Sequence, residues 1–248
     1  MSESRRRAVA LSSATSLTLA ALLGLGENAR ANPSVDAVRL TVVGDSLALG
    51  VGATDSSRGF AFDLFRRVRM TRPASEVTNL AIGGATTADV VRLELGRVAS
   101  TKPDVVLIEA GANDLVRRHA TKAFARDFER LVGGVRRASP QARVVLFNVP
   151  DISVSPIFEA SAKSALHRLA VAYNGSVTAV ARRAGVPVVD LFGFSQRART
   201  DPAQYLSTDQ FHPSDAGHAA IAAAAWPSVR DAIARFALRG QPLSKNFR

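Results

Sequence analysis

The sequence predicts an α/β protein: a three-layer αβα sandwich around a five-stranded parallel sheet. Three observations carry that expectation. Five short apolar runs alternate with stretches of helical periodicity from Val38 onward. The runs are largely apolar throughout rather than alternating, as strands covered on both faces are. Polar, glycine-bearing punctuation recurs where several of those runs end, at the edge where open parallel sheets bind ligands. Right-handed crossovers then place helices on both faces.

Arg39–Val43 opens the series with a run that stops at Gly44. Phe60 to Met70 places Phe60, Leu64, Phe65 and Val68 at helical spacing. Glu76–Leu80 is a second, shorter strand, and a helix from Thr87 to about Ala99 follows it, capped by Thr86 or Thr87. Val105 to Glu109 is the third strand, ending at Gly111-Ala112-Asn113-Asp114. The next helix carries Phe124, Phe128, Leu131, Val132 and Val135 on one face, with Gly133-Gly134 weakening it internally. Val144 to Val149 is the fourth strand. A long helix then presents Leu166, Leu169, Ala170, Tyr173, Val177, Val180 and Ala181 as a stripe and stops at Gly185. Val186 to Leu191 is the fifth strand, followed by a loop rich in Arg, Ser, Asp and Pro. The final helix runs from Asp215 to about Phe236, and Pro227 is expected to kink or break it. The tail from Arg239 reads as frayed.

The N-terminus has the pattern of an export signal. Arg5-Arg6-Arg7 form a basic start, Ala8 to Leu25 a mostly apolar stretch, and Ala29-Arg30-Ala31 a small-x-small cleavage pattern. Residues 1–31 are therefore read as a signal peptide, and residues 32–248 as a single domain, secreted or held in the cell envelope. An uncleaved membrane anchor is the alternative, because the stretch approaches the roughly 20 residues that span a bilayer.

The formal net charge of +11 is carried largely by arginine. The doublets Arg66-Arg67, Arg117-Arg118, Arg136-Arg137 and Arg182-Arg183 fall on different predicted helices, and aromatics make up only 6%. A nucleic-acid reader needs one basic face interleaved with stacking rings, so nucleic acid is not an expected partner. Weak attraction to an anionic membrane or envelope surface is left open. The chain has no cysteine, which removes disulfides, thiolate metal sites and cysteine nucleophiles together. No His/Asp/Glu group has metal-ligand spacing, and no metal or cofactor is expected.

Ser46 follows the first strand, Gly83-Gly84 the second and Asn113 the third, while Asp209-Gln210-Phe211-His212 precedes the last helix. In a parallel sheet these points share one edge. Ester cleavage needs a hydroxyl nucleophile, an imidazole to take its proton and a carboxylate to orient that imidazole. It also needs donors aimed at the oxyanion. Ser46, His212 and Asp209 suit the first group. The amides of Ser46 and Gly84, with the Asn113 side chain, suit the second. Asp45 and Ser46 could instead merely cap the segment that follows. His119, His167 and His218 lack such context and read as structural or exposed.

Taken together, these motifs resemble the GDSL, or SGNH, hydrolases. Gly44-Asp45-Ser46-Leu47 is similar to the nucleophile motif, Asn79 to Thr86 to the second, Gly111-Ala112-Asn113-Asp114 to the third, and Asp209-x-x-His212-Pro213 to the last. The register of the second motif makes Gly84, rather than Gly83, the oxyanion glycine. Ala81 stands where a glycine is common and Ala85 where an acidic residue is, which puts the shape of that loop in question. The resemblance implies a flavodoxin-like SGNH hydrolase fold and an exported serine hydrolase cleaving small-molecule or lipid carboxylic esters through an acyl-serine intermediate. A lipolytic or thioesterase-like activity is the leading expectation and a carbohydrate O-acetyl esterase the alternative.

Two rivals follow from the residues themselves. An α/β-hydrolase also orders its triad Ser, Asp, His, but its elbow needs a glycine two residues after the serine, where Ala48 stands. A non-catalytic flavodoxin-like binding module would leave Asp209 and His212 without a purpose, and no P-loop or dinucleotide fingerprint occurs.

Overall fold

A computed structural model describes residues 37–237. The expected signal segment and the tail from Arg239 lie outside the described residues. Among the described residues, no helix is long and apolar enough to cross a membrane.

The chain alternates as expected. Strand β1 (Arg39–Val43) leads to a one-turn helix α1 (Ser46–Leu49), then to α2 (Phe60–Thr71) and β2 (Glu76–Asn79). Helices α3 (Thr87–Leu93) and α4 (Leu95–Val98) precede β3 (Val105–Ile108), and α5 (Ala112–Val116) and α6 (Thr121–Ala138) precede β4 (Arg143–Phe147). A 3-10 turn (Ile152–Val154) and α7 (Ala160–Ala184) lead to β5 (Val188–Val189). Then come α8 (Leu191–Thr200), α9 (Pro202–Tyr205) and α10 (Asp215–Ala237). The strands are ordered β2-β1-β3-β4-β5, and all pair in parallel.

Period-two alternation in the central strands builds two cores. Val43, Val106, Ile108, Val144 and Leu146 face one side and pack with Val90 of α3, Phe124, Phe128 and Leu131 of α6 and Tyr173 and Val177 of α7. Val42, Leu107, Val145 and Phe147 face the other, against Phe60 and Leu64 of α2 and Ile221 and Val229 of α10. Helices therefore cover both faces, the three-layer sandwich the sequence predicts.

Five details depart from the sequence reading. The helix expected over Thr87–Ala99 breaks at Glu94, whose backbone leaves the helix while its side chain is wholly buried. Gly133-Gly134 does not interrupt α6; a side chain at Gly134 would collide with Leu95, so the glycine admits close packing of α4. Strand β5 has only two residues, because Asp190 turns away to cap α8, accepting from the Gly193 N–H at 2.9 Å. The expected loop after it is mostly helical, since Asp190 and Asp201 are N-caps and Pro202 opens α9. Pro227 lies inside a continuous α10.

Candidate active site

The strand order reverses between β1 and β3, and in open α/β sheets such a switch point is where a ligand crevice forms. Ser46 follows β1 and Asn113 follows β3, so both stand at that point. Gly44 permits the turn: a Cβ there would run into the Glu109 carbonyl of the neighbouring strand. Asp45 then caps α1 by accepting from the Leu47 N–H at 3.0 Å, which fixes Ser46 as the first residue of the turn.

His212 arrives from the opposite side of the crevice. Its Nε2 lies 2.9 Å from Ser46 Oγ, and its Nδ1 lies 2.6 Å from Asp209 Oδ2. Asp209 Oδ1 also accepts from the amides of Phe211 and His212, each at 2.9 Å, and from Ser207 Oγ at 2.7 Å. Partial burial works against ionisation of Asp209, but these donors outweigh it and hold its pKa below the usual carboxylate range. An ionised Asp209 accepts a hydrogen bond from the Nδ1–H, which holds the proton there and leaves Nε2 as the acceptor for the Ser46 hydroxyl. The loop is braced from behind. Asp215, three residues on, accepts from Thr54 N–H and Thr54 Oγ1 at 2.8 Å and from Arg58 at 3.0 Å.

Asn113 and Gly84 meet through Ala85. Asn113 Nδ2 donates to the Ala85 carbonyl and to Asp45 Oδ2, both at 3.1 Å. Gly84 is exposed with φ of 76°, a left-handed conformation that suits glycine, and its carbonyl is held by Arg117 at 3.0 Å. Asn79 ties this loop to the nucleophile turn, donating to the Ala48 carbonyl at 2.8 Å. All five residues singled out from the sequence thus lie along one sheet edge. Ser46, His212 and Asp209 form a continuous hydrogen-bonded chain.

The family model described as the GDSL-like Lipase/Acylhydrolase family matches residues 42–220. The chain belongs to this family. The match runs from the end of β1 past His212, so it spans every motif described above. The family and the site together make the protein an SGNH-type carboxylic ester hydrolase. No curated protein is similar enough to count as a match. Among solved structures, TesA is similar at 25% identity and a TM-score of 0.65, covering 78% of this chain and 99% of its own. The psychrotrophic esterase EstA from Pseudoalteromonas sp. is similar at 19% and 0.63, covering 78% and 97%. A catalytic mutant of Axe2, an acetylxylan esterase from Geobacillus stearothermophilus, is similar at 20% and 0.63, covering 77% and 94%.

Beneath the nucleophile turn, this GDSL hydrolase buries three carboxyls that the sequence reading did not connect: Asp45, Glu94 and Glu109. Glu94 reaches in from the helix break and accepts from the Gly44 N–H at 2.8 Å. Burial pushes its pKa up to about 8, and the Asp45 charge adds to the rise. Burial, then the Asp45 charge, lifts Glu109 well above the usual range, and neither Glu109 oxygen has a well-formed hydrogen bond. Burial also raises Asp45, opposed by the Leu47 amide. Only the helix break at Glu94 could have signalled the cluster, and a lone glutamate in an apolar-periodic stretch reads as a surface residue.

The other histidines keep structural places. His218 is buried; its Nδ1 accepts from the Phe60 N–H at 3.2 Å and its Nε2 donates to the Val51 carbonyl at 3.0 Å. Burial depresses its pKa, which agrees with a neutral ring. His119 meets Asp114 at 3.3 Å and His167 meets Asp151 at 2.7 Å. Among the described residues, no group of three or more His, Cys, Asp or Glu could hold a metal ion.

Proposed function

We propose that the chain is an exported serine esterase with Ser46 as nucleophile, His212 as general base and Asp209 as the group that orients it. The unbroken Ser46–His212–Asp209 chain at 2.9 and 2.6 Å is the observation that carries this reading. Ser46 Oγ attacks the ester carbonyl carbon while His212 Nε2 takes the hydroxyl proton. Negative charge collects on the former carbonyl oxygen, with the amides of Ser46 and Gly84 and the Asn113 side chain as its donors. His212 returns its proton to the departing alcohol oxygen, leaving an acyl-Ser46. Water then attacks that acyl carbon and gives a proton to His212; His212 passes it to Ser46 Oγ as the acyl–oxygen bond breaks, which releases the acid and restores the free serine.

The pocket beside Ser46 and His212 is lined mainly by apolar side chains, among them Ile152, Val154, Leu191, Phe194 and Phe211. Its free volume is about 60 Å³. By the same measure a single water needs about 10–15 Å³, so the space suits an acyl group of a few heavy atoms. This supports a short-chain ester, the O-acetyl esters of the alternative reading included, over a long-chain lipid. Export rests on the basic start, the apolar run and Ala29-Arg30-Ala31.

A fluorophosphonate probe should label Ser46 in the full chain, and p-nitrophenyl esters should be cleaved in the order acetate and butyrate well above decanoate. Absence of labelling defeats the serine mechanism, and a preference for decanoate defeats the short-chain assignment.

A further inference from the structure

Next to the catalytic pocket lies an open cleft of about 520 Å³, and Val154 of the 3-10 turn lines both. The turn is fastened to the histidine loop, because Ser155 Oγ donates to the Gln210 carbonyl at 2.6 Å. The wall of the cleft carries Lys163, His167 and Arg168 from α7 and Arg199 from α8, with the hydroxyls of Ser153 and Ser164 and no carboxylate. Arg199 and His167 share one buried anion, Asp151, at 3.4 and 2.7 Å. The side chains of Lys163 and Arg168 have no hydrogen bond or ion pair among the described residues. Elsewhere on the surface many arginines are paired, as Arg66 and Arg67 are with Asp63 and Arg92 with Asp89. In Lys163 and Arg168 the cleft therefore carries positive charge that has no partner among the described residues.

We propose that this cleft binds a phosphate group carried by the alcohol portion of a short-chain ester whose acyl group enters the pocket at Ser46. The proposal rests on the hydrolase reading above. A carboxylate has two oxygens in one plane and is satisfied by a single guanidinium fork. Cations approaching from two helices, with the Ser164 hydroxyl beside them, match the divergent oxygens of a phosphate monoester. The volume holds that group together with a small alcohol. Binding energy gained at the phosphate would hold the ester carbonyl against Ser46, an effect paid in KM and orientation rather than in new chemistry.

The test compares glycerol monoacetate with acetylglycerol 3-phosphate on the full chain, the wild type beside Lys163→Ala/Arg168→Ala and the single Arg168→Ala. The wild type should favour the phosphorylated ester by about tenfold or more in kcat/KM, mainly through KM, since charge-assisted hydrogen bonds are worth that much. The double variant should bring the ratio close to one, and the single variant should fall between. No preference in the wild type, or an equal preference in the folded double variant, overturns the proposal. Failure of the wild type to cleave either ester or p-nitrophenyl acetate counts against the hydrolase reading instead. In that event the cleft is judged separately, by titrating inorganic phosphate and following backbone amides at 163–168 and 199 by NMR. Saturable shifts that vanish in the double variant support the cleft, and none in the wild type overturns it.

Discussion

The molecule holds two histidine–carboxylate pairs of nearly the same geometry: His212 with Asp209 at 2.6 Å and His167 with Asp151 at 2.7 Å. They differ in what surrounds them. His212 offers its second nitrogen to the Ser46 hydroxyl, and Asp209 is held by neutral donors besides the imidazole. Asp151 is wholly buried, accepts from Arg199 through the oxygen that meets His167, and accepts from the Ser153 hydroxyl at 2.5 Å. The hydroxyl near the second pair is thus spent on the carboxylate rather than placed on the ring. An imidazole beside an aspartate is a catalytic base only where a hydroxyl lies on the far nitrogen, and one position of the two supplies it.

The largest expected effects test this contrast directly. Ser46→Ala and His212→Ala should each lower kcat on p-nitrophenyl acetate by about 10⁴–10⁶, and the double variant by little more, because the pair acts as a unit. Asp209→Asn should cost about 10⁴, the consequence of losing the tautomer that leaves Nε2 free. His167→Ala should stay within about tenfold of the parent, the scale of a small shift in the turn that lines the pocket. Kinetics on variants first shown to be folded by circular dichroism would check all four. A His167→Ala loss as large as that of His212→Ala would erase the distinction between the pairs.

A smaller effect is expected one bond further out. Asn113→Ala should reduce kcat by about 10²–10³ with KM little changed, the usual cost of one oxyanion donor. In the resting enzyme the Asn113 amide is engaged with Asp45 and the Ala85 carbonyl. An oxyanion has to win an N–H from one of them, and a full negative charge does so more readily than a carbonyl does. Full activity of the folded variant would reduce Asn113 to a brace for the Ala85 loop.

The contrast also shows which parts of the structure were legible in the sequence. β1, the α6 and α7 stripes and the four motifs were, because strand runs, helical periodicity and strand-end polar residues each leave a local pattern. His212 was separable from His167 by Asp209 three positions before it. Asp151 lies sixteen residues before His167, so nothing local announces the second pair. Strand β5 was overestimated because Val186 to Val189 is unbroken apolar and Leu191 resumes the run, so Asp190 read as an interruption within the strand rather than as the cap that ends it. The cap at Asp201 was present in the sequence but read as loop composition, and Asp190 was counted within the strand. The buried acids beneath Ser46 depend on a tertiary fact, the close approach of α3, β3 and the nucleophile turn.

Those acids extend the comparison to the buried carboxyls themselves. Asp151 has a cation and a histidine against it, whereas the first hydrogen-bond partner of Glu94 is a backbone amide, the Gly44 N–H. Its pKa is about 8 in the folded chain against an ordinary 4.5, so between those values the folded form holds a proton that the unfolded chain has lost. The stability contributed by the protonated acid is therefore full below about pH 4.5 and is lost as pH rises through about 8. Glu94→Gln keeps an acceptor for the Gly44 amide and removes the titration. The variant should melt with the wild type at pH 5 and be more stable at pH 9, by on the order of a few kcal/mol. Because Glu109 and Asp45 are also shifted upward, the variant should flatten the decline without abolishing it. Thermal melts of both proteins from pH 5 to 9 measure the difference. Parallel curves across that range would mean that Glu94 is ionised in the folded enzyme and that a donor beyond the Gly44 amide stabilises its charge.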